Sequence, residues 1–143
     1  MATSEEIFAD SNYFVSSFNP EDTKYHHALQ VSAKLDSENA SLVITNFIFA
    51  EVVTVLSQRQ GRQTAIQTGQ YLLSHPNIRT VHVDEYLQNA AWHIFQDSND
   101  KNISLVDSSI IATMKSEGIQ KLLTFDTTDF TKLQDQYRFS FYD

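Results

Sequence analysis

Short apolar runs alternate along the chain with longer stretches in which apolar residues recur at helical spacing, the pattern of an α/β fold. Ile7-Phe8-Ala9 reads as a strand that ends at Asp10-Ser11-Asn12, residue types that cap helices, and Tyr13-Phe14-Val15 opens a brief helix closed by Asn19-Pro20. From Glu21 to about Leu35 the residues Tyr25, Ala28, Leu29, Val31 and Leu35 trace a second helix, with a loop from Asp36 to Ala40. Leu42-Val43-Ile44 is a second strand. The helix expected after Thr45-Asn46 is apolar on nearly every side through Phe47, Ile48, Phe49, Val52, Val53, Val55 and Leu56, which predicts burial, and it ends toward Gly61. A polar helix from about Arg62 to Ser74 stops at His75-Pro76, and Ile78 to Val83 alternates as a third strand. Asp84 caps a helix that buries Leu87, Ala90, Ala91, Ile94 and Phe95, and the polar loop 97–102 follows. Ser104 to about Glu117 is helical, stopped by Gly118. Leu122-Leu123-Thr124-Phe125 is a fourth strand, Phe130 and Leu133 suggest a short helix, and Tyr137 to Tyr142 adds an edge strand. Connections of these lengths predict a mainly parallel sheet with right-handed crossovers.

The 143 residues suffice for one core, so a single domain over residues 1–143 is expected. With 41% hydrophobic and 20% charged residues the chain is globular in composition. It has no cysteine, which excludes a disulfide scaffold, thiolate catalysis and Cys-ligated zinc or iron–sulfur sites. The longest apolar stretch, Leu42 to Leu56, is broken by Thr45, Asn46 and Glu51, so no membrane span is expected; Glu5 and Glu6 stand where a secretory leader would be basic. A cytoplasmic protein is the expectation. The net charge of −8 disfavours non-specific attraction to polyphosphate, which rests on Lys and Arg displacing counterions.

Candidate chemistry is carried by acids at the ends of elements. In an open α/β sheet, ligands bind beyond the carboxyl ends of the strands. Asp10 and Asp126 directly follow strands, and Asp107 lies in the first turn of a helix. Glu51 has the helical neighbours Phe47, Ile48 and Val55, which would partly bury its carboxylate, and an unpaired buried charge is expensive unless a cation relieves it. Each acid also has a structural reading: Asp10 and Asp126 as helix caps, Asp107 within the capping-box pattern Ser104-x-x-Asp107, Glu51 as half of an ion pair. Their joint placement at one edge favours ligation, and carboxylates alone select a hard cation, Mg²⁺ or Mn²⁺. No glycine-rich nucleotide loop, no H-E-x-x-H and no G-x-S-x-G elbow is present. His26 and His27 are adjacent and would point apart on a helix.

The ordered segments Ile7-Phe8-Ala9-Asp10-Ser11-Asn12, Thr45-Asn46-x-x-x-x-Glu51, Asp100-Lys101-x-x-Ser104-Leu105-Val106-Asp107-Ser108-x-Ile110 and Leu123-Thr124-Phe125-Asp126 resemble the PIN domain, in particular VapC-like toxin ribonucleases. The resemblance spans Ile7 to about Phe141. It implies a three-layer α/β/α domain in which Asp10, Glu51, Asp107 and Asp126 hold Mg²⁺ or Mn²⁺ and an RNA phosphodiester is hydrolysed. Asn12 and Thr45 match polar positions beside that site, and Asp129 is an additional acid near the fourth position. The partners so implied are a structured RNA such as tRNA or rRNA, a cognate antitoxin and a second copy in a homodimer. The cations available for RNA are scattered: Lys24, Arg59, Arg62, Arg79, Lys121, Lys132 and Arg138. Competing readings are a non-catalytic α/β module that binds RNA or protein, a housekeeping PIN nuclease in RNA processing, and a phosphoryl-transfer domain with Asp10 as nucleophile. The last wants a second Asp two residues on, where this chain has Asn12.

Overall fold

A computed structural model describes residues 5–143. The strands β1 (Glu6–Ala9), β2 (Ser41–Thr45), β3 (Ile78–Val81), β4 (Lys121–Leu123) and β5 (Ser140–Phe141) form one sheet in the order β3-β2-β1-β4-β5, and every pairing is parallel. The inner strands read as unbroken apolar runs because a parallel sheet is covered on both faces: Ile7, Phe8, Ala9, Val43, Ile44 and Leu122 are fully buried. At the edge, Arg79 and Thr80 of β3 face solvent, and β5 has only two residues, which limits unpaired edge.

The connections are helical: α1 (Ser11–Ser17) and α2 (Tyr25–Ser37) join β1 to β2, and α3 (Asn46–Gln60) and α4 (Arg62–Ser74) join β2 to β3. Helices α5 (Glu85–Asp97) and α6 (Leu105–Glu117) carry the chain back from β3 to β4, and α7 (Thr127–Tyr137) leads to β5. The chain thus steps toward one edge through β1, β2 and β3, then toward the other through β4 and β5. Right-handed crossovers place α1–α4 on one face of the sheet and α5–α7 on the other, giving three layers. Helix α3 presents Ile48, Val52 and Leu56, all fully buried, as its inward stripe, and α6 is buried from Ser108 through Met114. The buried hydroxyls of α6 remain satisfied within the helix: Thr113 Oγ1 donates to the Ser109 carbonyl at 2.8 Å and Ser109 Oγ to that of Val106 at 2.6 Å.

Gly118 ends α6 at φ +71°, in the left-handed region expected of a helix-terminating glycine. A Cβ there would meet nothing within 4 Å, so substitution costs only backbone strain. Gly118→Ala is expected to lower stability by about 1 kcal/mol, read as a lower urea midpoint at unchanged slope.

Strand bounds differ from the sequence expectation in β3, β4 and β5, the last being confined to Ser140–Phe141 because α7 runs through Tyr137. The third strand stops at Val81, because Asn46 Oδ1 takes the Val83 N–H at 2.6 Å outside the ladder. The fourth stops at Leu123, because Thr124 and Phe125 turn toward the end of β1.

Candidate active site

Because the strands are parallel, their carboxyl ends lie on one side of the sheet, and the direction of strand addition reverses between β1 and β4. That switch point opens a crevice. Asp10 stands in it, one residue past β1 and only 6% exposed. One of its oxygens accepts the Ser11 N–H at 2.8 Å, capping α1, and Oδ2 accepts the Thr124 hydroxyl at 2.9 Å from across the switch. Asn12 braces the same point: its Nδ2 donates to Thr124 Oγ1 at 3.2 Å and, more loosely, to Asp10 Oδ2 at 3.4 Å, while its Oδ1 accepts the Phe125 N–H at 3.0 Å. The ends of β1 and β4 are thereby tied through Asp10, Asn12 and Thr124.

Glu51 reaches this end from α3, where its Oε1 accepts the Ser11 hydroxyl. Asp107 arrives from the first turn of α6. It completes the capping box with Ser104, accepting the Ser104 N–H at 3.0 Å while Ser104 Oγ accepts the Asp107 N–H at 3.0 Å. Cap and cluster member are one residue here, so the structural reading of Asp107 does not displace the chemical one. Burial, first of all, pushes the Asp10 carboxyl up from 3.8 to about 7; Thr124 and Ser11 pull it back, and the charges of Asp107 and Glu51 raise it further. The Asp107 carboxyl is also raised, by burial first, against the lowering hydrogen bonds of Ser104, with Asp129 and Glu51 adding repulsion.

The two acids of the last segment part ways. Asp126 sits at the N-cap position of α7, is exposed, and makes no side-chain cap; its N–H donates to Thr124 Oγ1 at 3.1 Å. Asp129, in the first turn of α7, is half-buried and is the one of the pair whose charge bears on Asp107. Thr45 is fully buried and caps α3, accepting the Ile48 N–H at 3.2 Å. Two contributors had no role in the sequence reading: Ser11, which holds Glu51, and Thr124, which holds Asp10. Ser11 directly follows Asp10 and Thr124 lies two residues before Asp126, and those positions are the only signal either leaves in the sequence.

No Lys, Arg or His among the described residues forms an ion pair with Asp10, Glu51, Asp107, Asp126 or Asp129. Equally, no group of three or more His, Cys, Asp or Glu among the described residues stands in an arrangement ready to hold a metal ion. By chemistry alone the donor set fits a hard divalent cation: Asp10 and Asp107 are desolvated, each is raised further by neighbouring carboxylates, and none of these acids is ion-paired among the described residues.

This geometry sits on a known framework. The VapC20 endonuclease of Mycobacterium tuberculosis, described as 23S rRNA-specific, is 28% identical over 120 residues, covering 84% of this chain and 88% of the relative. The crystal structure of that protein, described as a sarcin–ricin-loop-cleaving toxin, superposes with a TM-score of 0.79 at 26% identity, covering 88% of this chain and 94% of that one. VapBC2 from Rickettsia felis, solved on a promoter DNA fragment, shares the fold at a TM-score of 0.68 and 16% identity over 96% of this chain and 99% of that one. The sequence model of the PIN domain matches residues 7–135, from the first residues of β1 into α7 and so through all four acid-bearing segments; the chain belongs to the PIN domain family.

Proposed function

We propose that this protein is a divalent-metal-dependent endoribonuclease acting as the toxin of a toxin–antitoxin pair in the cytoplasm. The observation that carries the reading is the buried Asp10, raised to about 7 beside Glu51 and Asp107 with no ion pair to any of them among the described residues, at the switch point of the sheet. Likeness to the rRNA-cleaving VapC20 supports a structured RNA as substrate, rRNA before tRNA. A cognate antitoxin is supported by the VapBC-type neighbours. The exposed apolar side chains of α5, Tyr86, Trp92 and Phe95, are a surface on which a second copy would be buried. Among the described residues no helix is long and apolar enough to cross a membrane.

Asp10, Glu51 and Asp107 would hold Mg²⁺ or Mn²⁺, with a fourth carboxylate from Asp126 or Asp129. When bound, the ion supplies charge neutralisation at the phosphate and a lowered pKa for attacking water. The side chains do the positioning. Thr124 and Asn12 fix the Asp10 carboxylate toward the crevice, Ser11 orients Glu51, and the Ser104 cap holds Asp107 on a rigid helix end. No side-chain nucleophile is required. Asp10 itself as a phosphoryl acceptor is disfavoured by the hydrogen bonds it already accepts from Ser11 and Thr124.

The test is cleavage of total RNA by the purified protein. Scission is expected with Mg²⁺ or Mn²⁺ and none in excess EDTA; persistent scission in EDTA would sink the reading. A non-catalytic module is the competing reading that the lack of a ready-made three-acid cage favours, and it predicts no metal effect at all. For the fourth carboxylate, Asp129→Asn is expected to lower cleavage by at least about tenfold and Asp126→Asn by less, because the charge of Asp129, not that of Asp126, bears on Asp107. The reverse order in a cleavage assay would return the role to Asp126.

A further inference from the structure

Beside the acid cluster lies a cleft of about 430 Å³ whose wall includes Thr124, the residue that donates to Asp10. Its floor is aromatic. Phe125 projects between Lys24, whose ammonium stands 5.5 Å from the ring centroid, and His27, whose ring centre is 5.2 Å away at a 43° tilt. Behind it Phe125 meets Tyr13 edge-on at 6.2 Å, and its N–H is held by Asn12, so its main chain is tied to the same network that holds Asp10. Thr127 and Thr131 add hydroxyls from α7. Of the chain's scattered cations, Arg79 is paired with Glu6 and Glu117, Lys121 with Glu5 and Lys132 with Asp100. Lys24 instead lines this cleft, with no acidic partner among the described residues. At the far end of the cleft lies Asp143, whose backbone carbonyl accepts from Lys34 Nζ.

We infer that this cleft is a nucleotide subsite, taking one unstacked residue of the RNA next to the scissile phosphate, with the base against Phe125 and His27 and a phosphate on Lys24. The inference rests on the ribonuclease reading above. An acidic protein has little long-range pull on RNA, so local grip must come from stacking, which any base supplies, and from a cation placed at the point of use. Lys24 is exposed at the start of α2, and its contact with the ring is of the weak surface kind, free to be exchanged for a phosphate.

The experiment measures fluorescence anisotropy of a fluorescein-labelled single-stranded RNA hexamer on the full chain carrying Asp10→Asn, so that binding is read without turnover. Adding Phe125→Leu, which keeps apolar volume but removes the aromatic face, is expected to weaken binding about tenfold at unchanged salt dependence. Adding Lys24→Gln is expected to weaken it and lower the slope of log affinity against log salt by about 0.7, with Lys24→Arg restoring both. Absence of binding by the parent, or binding unaltered in both variants, overturns the subsite. Unaltered RNA binding with weakened capture of a protein partner also overturns it, reassigning the cleft to protein. The two readings fail separately: RNA cleavage by the native chain with indifferent variants removes the subsite alone, whereas the expected binding pattern without metal-dependent cleavage removes the nuclease alone.

Discussion

The Asp10→Asn variant is expected to lose RNA cleavage by at least about a hundredfold and yet to be more stable than the native chain without metal at pH 7.5. The sign follows from proton counting. Unfolded Asp10 ionises near 3.8 and folded Asp10 near 7, so between those values the folded state holds the extra proton and stability falls as pH rises. Above about 7 the full cost is present, about 4 kcal/mol from the size of the shift. An amide removes the charge but turns a donor toward Thr124, whose hydroxyl also receives Asn12 and the Asp126 N–H, so only part is recovered. A net gain of about 2 kcal/mol in denaturant unfolding at pH 7.5 is the expected result, reversing to a loss of about 1–2 kcal/mol at pH 4, where native Asp10 is largely protonated and only the amide's misplaced donor remains. Equal or lower stability at pH 7.5 would mean that Asp10 is not held against its own charge. A cost of this kind at the proposed catalytic position would be the usual stability–activity trade-off.

The second large effect is that of the metal. An ion that binds ionised Asp10 competes with its proton, so affinity for Mn²⁺ is expected to rise tenfold per pH unit below about 7 and to level off above it. Bound metal should also raise the unfolding midpoint, and more so at pH 7.5 than at pH 5.5, because the folded carboxylate cluster is the form it selects. The native chain therefore reverses its pH dependence: metal-free it loses stability from pH 4 to 7, and metal-loaded it regains it. A thermal melting series in EDTA and in Mn²⁺ across that range checks both slopes; parallel curves would contradict a metal at Asp10.

What was legible in the sequence follows from burial. The runs Ile7-Phe8-Ala9 and Leu42-Val43-Ile44 stand out because both faces of those strands are covered, and Gly118 because no other residue type so readily adopts its backbone. Boundaries set by side chains were less visible. Helix α1 begins at Ser11, not Tyr13, because Asp10 caps it directly. Helix α2 begins at Tyr25, not Glu21, because residues 19–24 form turns in which Asp22 accepts from Ser16 and from the Lys24 N–H. The candidate acids could be named from their order along the chain, but which of Asp126 and Asp129 bears by its charge on Asp107 depends on where α7 starts relative to the sheet, a tertiary matter. Thr45 also caps α3, a contact that motif spacing does not reveal because it does not say which way a hydroxyl turns. Phe95 was expected within the core of its helix and instead stacks on Trp92 at 5.7 Å on the exposed side of α5.

Central to the proposed function is that carboxylates gathered at the switch point, none of them ion-paired among the described residues, are held for a divalent cation. Calorimetric titration of Mn²⁺ into the metal-free native chain at pH 7.5 tests it most directly, with Asp10→Asn and Asp107→Asn alongside. The account predicts saturable binding by the native chain, with proton release that grows as the pH is lowered toward 6, and loss of that binding in both variants. Absence of binding to the native chain, or equal binding by all three proteins, would contradict it.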